Sequence, residues 1–409
     1  MNTQDPRFPL FDSLRAVAAL SVLGYHVWLV SGASQGALAP YVAQLDAGVP
    51  VFFLVSGFLL YRPFARARFH AEPAPAVVPY AIRRIARIVP AYWVALVVVA
   101  IWFGVTAVAS LPRGLLYFGF AQSYDRQALF DLPQLRQAWT LCVEVSFYAL
   151  LPVWAAVLRR LRFTSTSAFG VSELGPLALV FVASIAWRLT VVHIGDGGFA
   201  QATPGLLTLP SQLDHFALGM GLAVVSVMLS ARAGPSRAER RLQAAPWAAW
   251  VLAAAAFGLT GWLAKHSGSR WDDLRQHELK GAFALALILP AVFGGDRRDP
   301  VRAILRNRVL LWCGLVSYGI YLWHLPVLYA LHDAGLDDSA GLVPFAATAL
   351  TVTVALAAIS YYGLERHALR AGRRLAAALS AGRRDSSARG PQSTGRTDKA
   401  ADAPVVRGP

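Results

Sequence analysis

Charged residues are scarce in this chain. They make up 15% of its 409 residues, against about a quarter in soluble globular proteins. With 56% hydrophobic residues and a mean hydropathy of +0.47, that scarcity excludes an ordinary water-soluble domain. Lysine is nearly missing: Lys265, Lys280 and Lys399 are the whole set, and arginine carries the remaining positive charge. Cysteine is limited to Cys142 and Cys313, both inside apolar segments, which leaves no disulfide framework and no thiolate metal site. The apolar runs do not alternate with polar residues, which excludes a transmembrane β-barrel. No Walker-type or G-x-G-x-x-G phosphate loop is present, and the polar residues form no usual metal cluster.

What the chain has instead is apolar runs of about 20 residues along nearly its whole length, each enough to cross a bilayer as a helix. They predict an all-α polytopic membrane protein with about ten transmembrane helices. The spans fall near 11–30, 47–61, 88–109, 139–158, 175–194, 212–230, 246–264, 280–294, 309–330 and 341–362. The net charge of +15 invites a nucleic-acid reading, but the arginines cluster in alternate loops (62–87, 159–174, 231–245, 295–308), the pattern that sets membrane orientation. Loop 31–46 has no basic residue, and loop 331–340 carries Asp333, Asp337 and Asp338 instead. The expectation is a multi-pass protein of the cytoplasmic membrane, both termini cytoplasmic, with the bilayer and not nucleic acid as its partner. Residues 1–370 form the membrane domain. Residues 371–409, rich in Arg, Ala, Ser, Gly and Pro, read as a disordered basic cytoplasmic tail. The segment 110–138 reads as a re-entrant or surface element on the outer side. Residues 76–88 read as an amphipathic stretch at the inner interface.

Two ionisable residues interrupt the first run, FDSLRAVAALSVLGYHVWLV: Arg15 and His26. Such residues cost about 2.5–3.5 kcal/mol on insertion scales, so their default reading is functional. The plain structural alternative is a snorkelling arginine and a satisfied core histidine. At ~1.5 Å per residue the two are roughly 16 Å apart. One helix thus carries a cation near the inner face and a titratable base near the outer one. Glu144 falls near the outer end of the fourth span, where a carboxylate would orient the imidazole of a general base. Asp214, His215 and His324 are further outer-side candidates for acceptor binding. On the inner side Arg62, Arg83, Arg84 and Arg87 join Arg15 in a basic mouth suited to phosphate. An inner basic mouth and an outer base fit a long anionic donor such as acyl-CoA, with its phosphates inside and its thioester at the base.

Six segments, in order, carry a family resemblance: FDSLRAVAALSVLGYH, DAGVPVFFLVSGFLLYRPF, IRRIARIVPAYW, AWTLCVEVSFYALLP, GLVSYGIYLWHLPV and ISYYGLERH. The chain resembles the integral-membrane acyltransferase family 3, whose members O-acylate surface polysaccharides, lipid-linked sugars, peptidoglycan and macrolides. The resemblance implies that His26 is the catalytic base, that Arg15 is essential and that Arg84 and Arg87 contribute to acyl-CoA binding. It matches Glu144 to the acidic residue of a serine-tryptophan-rich motif. Here Ala138-Trp139-Thr140 stands where serine commonly flanks the tryptophan, so Thr140 alone keeps a hydroxyl. Trp139 and Thr140 are assigned to substrate. Some family members carry a fused esterase-like domain, and none is expected in this chain.

The expected function is transfer of an acyl group, acetyl in the simplest case, from acyl-CoA to a hydroxyl of a carbohydrate or glycosylated metabolite. Acyl-CoA is then a co-substrate, and no tightly bound cofactor or metal is expected. Thr140, Tyr148 or a backbone amide are the open choices for the oxyanion. The alternatives are a transporter or flippase of a glycolipid or small hydroxylated metabolite, and a scaffold that holds anionic lipid through its basic loops.

Overall fold

The computed structural model describes residues 8, 10–32, 36–194, 204–232, 234–266, 271–293, 300–337 and 341–388. Among these residues there are helices and no strands. The long helices are α1 (Leu10–Val30), α2 (Gly48–Phe69), α3 (Val77–Trp102), α4 (Trp139–Leu158), α5 (Thr166–Ile194), α6 (Leu213–Ser230), α7 (Pro246–His266) and α8 (Asp272–Phe293). They continue with α9 (Arg308–Leu315), α10 (Ser317–Asp333), α11 (Leu342–Ser360) and α12 (Arg366–Ala388). Eight helices are long and apolar enough to cross a membrane, or nine if α9 and α10, bent by 72°, count as one broken span. The expected tenth span is α8. It is 22 residues long, but its first half is charged, and two of those charges are paired with other elements: Asp273 binds Arg188 at 2.8 Å and Lys280 binds Asp46 at 2.6 Å.

Pairing also explains where the spans outrun their apolar runs. α2 continues through Arg62, Arg66 and Arg68 to Phe69, well beyond the short span expected. α5 begins at Thr166, nine residues before its apolar run, and takes in Glu173. The two extensions meet: Arg68 donates to Glu173 at 2.6 Å and to the Leu161 carbonyl at 2.7 Å. Tyr61 donates to the other carboxylate oxygen. Buried charge persists only when paired in this way. The stretch at 76–88 is the first half of α3 and not a separate element, with Pro90 accommodated inside one 26-residue helix.

α2 packs on α6 at glycines that let two backbones touch. A methyl group on Gly57 would lie 2.5 Å from the Phe216 carbonyl, and one on Gly219 2.1 Å from that of Leu54. Small residues of this kind drive close helix packing in a bilayer. α1 is held against α9 in the same manner, with Gly314 over the Asp12 backbone. This contact sets the depth and rotation of the helix that carries Arg15 and His26.

The segment 103–138 is built of short helical pieces, including Leu111–Phe118 and Arg126–Asp131. Asp125 caps the second, accepting from the Ala128 amide at 2.7 Å. That hydrogen bond, with Arg113 at 2.6 Å, holds the Asp125 carboxyl below its ordinary pKa. Burial pushes the Tyr117 phenol up to about 12. The tail expected from 371 starts as helix, since α12 runs to Ala388. The tail beyond 388, Arg297, Arg298, Asp338 and residues 195–203 of the outer loop lie outside the described residues.

Candidate active site

α2 runs along one side of a cavity of about 880 Å3, lining it from Val49 to Pro63. The fourteen residue steps between them correspond to about 21 Å of helix axis. At the Pro63 end the lining is basic. Arg62, Arg83, Arg84 and Arg87, all expected there, are joined by Arg366, Arg370 and Arg373 of α12. Arg15 also lines the cavity and pairs with Asp12 at 3.4 Å. At the Val49 end the lining is Phe52, Phe53, Thr140 and Tyr321. The Thr140 and Tyr321 hydroxyls are 2.8 Å apart, and both reach the Gln137 carbonyl.

The α12 arginines were missed because they follow the last expected span, which ends at 362, where no apolar period continues. Their signal was the spacing 366, 370, 373, which puts three guanidiniums on one face of a helix. A five-residue π turn, Tyr361–Glu365, precedes α12 and turns Glu365 into the cavity. Such turns inside helices recur at functional sites. Gly372 seats α12 on α3, since an added methyl would come within 2.5 Å of Ala86.

His26 is not among the cavity's lining residues. It stands just past the Val49 end. Its Nδ1 is 2.9 Å from the Val22 carbonyl and 3.1 Å from His324 Nε2, with the two rings 4.8 Å apart. His324 is fully buried and follows Tyr321, which lines the cavity, by three residues. Asp46 and Arg136 act on His26 through space.

Glu144 is not where the expected pairing needs it. Its carboxylate accepts from Ser56 at 2.8 Å and faces the cavity near Arg15. The apolar element begins at Pro133, with a tight helical stretch through Ala138 ahead of α4. Glu144 is therefore eleven residues into its span and not five, which carries it deeper than His26. The imidazole takes a second imidazole as its partner instead. His324, assigned to acceptor binding, fills that role in the interior.

Two other assignments move away from the cavity. Trp139 packs edge-on against Phe53, with ring centroids 6.1 Å apart, and does not line it. Asp214 is fully buried, accepting from His277 Nε2 at 2.8 Å and from the His215 amide at 2.7 Å. Among the described residues Asp214, His215 and His277 are the set that could hold a metal ion, with donor atoms within 4.8 Å of one another. Tetrahedral zinc sets its donors about 3.4 Å apart, from bonds near 2.1 Å. The set is wider than that, and one of its pairs is already hydrogen-bonded.

The fold and cavity define the class: a helical membrane protein with a cavity that is arginine-rich at one end and abuts a histidine pair at the other. The comparisons narrow the class. A family described as "Acyltransferase domain" matches residues 9–362, and the chain belongs to it. The Listeria monocytogenes (serovar 1/2a) peptidoglycan O-acetyltransferase OatA is 25% identical over 336 residues, 78% of this chain and 49% of that protein. Bacillus subtilis (strain 168) YrhL, provisionally named a peptidoglycan O-acetyltransferase, is 25% identical over 390 residues, 89% of this chain and 55% of that protein. The chain thus spans about half the length of the curated relatives it matches. No solved structure matches it.

Proposed function

We propose that this acyltransferase moves an acetyl or other acyl group from acyl-CoA to a hydroxyl of a carbohydrate or glycosylated metabolite. The observation that carries the reading is the cavity, basic at one end and stopping one ring short of the pair formed by half-buried His26 and buried His324 at the other. Its length of about 21 Å suits an extended thioester arm. The arginine end is the cytoplasmic one by the positive-inside rule. There the arginines of α3 and α12 bind the donor phosphates, which guanidinium groups hold bidentately. The relatives' names, peptidoglycan O-acetyltransferases, support a glycan hydroxyl as acceptor, approaching from the opposite face.

In the reaction, His26 Nε2 removes the proton from the acceptor hydroxyl as its oxygen attacks the thioester carbonyl. The tetrahedral intermediate then expels the thiolate by breaking the C–S bond. The imidazolium returns its proton to sulfur, so the products are the ester and free CoA. General base catalysis supplies about 10²–10⁴-fold, and alignment of the two bound reactants contributes more. Phe52 and Tyr321, whose rings pack 5.6 Å apart, close the cavity in front of His324. The thioester reaches His26 when these two rings part.

The test is direct. Purified protein in lipid nanodiscs is given radiolabelled acetyl-CoA and a panel of glycan and glycoside acceptors. Labelled ester from the wild type, and none from a folded His26→Ala protein, is the expected result. Movement of unmodified acceptor across the bilayer without ester formation would replace the reading with transport.

A further inference from the structure

The histidine pair has a proton inventory that can be worked out from its acceptors. A backbone carbonyl only accepts, so a ring nitrogen in contact with one carries the proton. His324 Nδ1 lies 2.7 Å from the Tyr321 carbonyl and is therefore N–H. In the neutral ring this leaves His324 Nε2 as a bare acceptor. It points at His26 Nδ1, 3.1 Å away. His26 Nδ1 is itself N–H, because it lies 2.9 Å from the Val22 carbonyl. That carbonyl is one turn back in α1 and also serves the helix backbone. The acceptor free of any other donor is thus His324 Nε2. The chain of assignments ends at His26 Nε2, which is left unprotonated.

We propose that His324 is a positioning residue that holds His26 in its Nδ1–H tautomer, keeping Nε2 free as the base, and accepts the Nδ1 hydrogen bond of the imidazolium formed during acyl transfer. The proposal rests on the reading of His26 as the base. It takes over the task that a carboxylate performs in the serine-protease triad, and it uses a neutral partner. A neutral partner suits this site: His324 is fully buried, and an unpaired carboxylate there would be costly.

The two amide side chains separate this role from simple packing. His324→Asn places its amide near the position of Nδ1, retaining a donor for the Tyr321 carbonyl but falling short of His26. His324→Gln carries an oxygen out to the position of Nε2 and restores an acceptor for His26 Nδ1. With acetyl-CoA and an N-acetylhexosamine oligosaccharide as acceptor, kcat should fall about 10²-fold in His324→Asn with both KM values unchanged, the low end for loss of a base. His324→Gln should recover to within about tenfold of wild type by keeping the hydrogen bond to the base. Combining His324→Asn with His26→Ala should cost nothing beyond His26→Ala alone. Wild-type kcat in His324→Asn, or a loss confined to the KM of the acceptor, would overturn the proposal. So would equal losses in the Asn and Gln variants when both are folded.

A readout independent of turnover uses nitrogen-15 spectra of the full-length protein labelled at its nine histidines. The Nδ1–H rings include His193 and His266, whose Nδ1 atoms also face carbonyls; among them one further signal should be lost in His26→Ala and another in His324→Gln. An Nε2–H tautomer for His26 in the wild type would refute the relay even if acyl transfer is observed. Full activity in a folded His26→Ala protein would instead refute the assigned base, whatever the spectra show.

Discussion

At the scale of single residues the chemistry divides between the two ends of the cavity. His26→Ala should lower acyl transfer by about 10²–10⁴-fold, checked by labelled ester formation with a protein that elutes as folded in detergent. Arg84→Ala and Arg87→Ala should act on the donor and not on the chemical step. Each removes a guanidinium from the basic end, and an ionic hydrogen bond there is worth about 1.5–3 kcal/mol. KM for acetyl-CoA should rise about tenfold or more with kcat little changed, and initial-rate kinetics separate the two parameters. Glu144 lies midway along the cavity, beside Ser56. Its carboxylate faces Arg15 across the lining and takes the Ser56 hydroxyl, so its loss should also disturb donor binding.

At the scale of elements, packing depends on a few close approaches. Gly219→Leu at the α2–α6 crossing drives a side chain into the Leu54 backbone, where overpacking costs about 1–3 kcal/mol. A lowered midpoint of thermal unfolding in detergent is the expected outcome. α12 contributes Arg366, Arg370 and Arg373 to the cavity. Replacing all three with alanine should raise KM for acetyl-CoA and flatten its dependence on salt, because screening weakens exposed guanidinium–phosphate attraction. In the 103–138 segment, Asp125→Ala should cost about 1 kcal/mol as a lost helix cap. The Asp125 carboxyl has a lowered pKa in the folded protein. Its stabilising effect is therefore present above the unfolded carboxyl pKa and is lost as pH falls through the folded one. Acid titration of the wild type, set against Asp125→Asn, measures that difference.

For the whole molecule, arginines of α2, α3 and α12 gather at one end of the cavity. Counting α8 with the nine candidate spans gives ten, and on that count both termini should face the cytoplasm. A fluorescent protein fused after residue 409 should fluoresce, and an exported phosphatase at the same position should be inactive. The α9–α10 break, bent by 72°, sets Gly314 against α1 and directs Tyr318, Tyr321 and His324 inward. One broken span therefore joins the depth of α1 to the closed end of the cavity.

The sequence by itself determined what depends on local order along the chain. Hydropathy over about 20 residues establishes a helical membrane protein, and six short motifs in order identify the family. Arg15, His26, Arg84 and Arg87 stood out because a charge inside or beside an apolar run is visible without any knowledge of neighbours. The tertiary structure decided which residues meet. Rise per residue converts position into depth, but a helix's rotation is set by the helices packed on it. For that reason Glu144 read as the partner of His26, and the bundle brought His324 instead. The same limit hid the Arg68–Glu173 pair, which lengthens two spans past their apolar runs. It also hid α12, whose arginines complete the cavity only because its small face rests on α3.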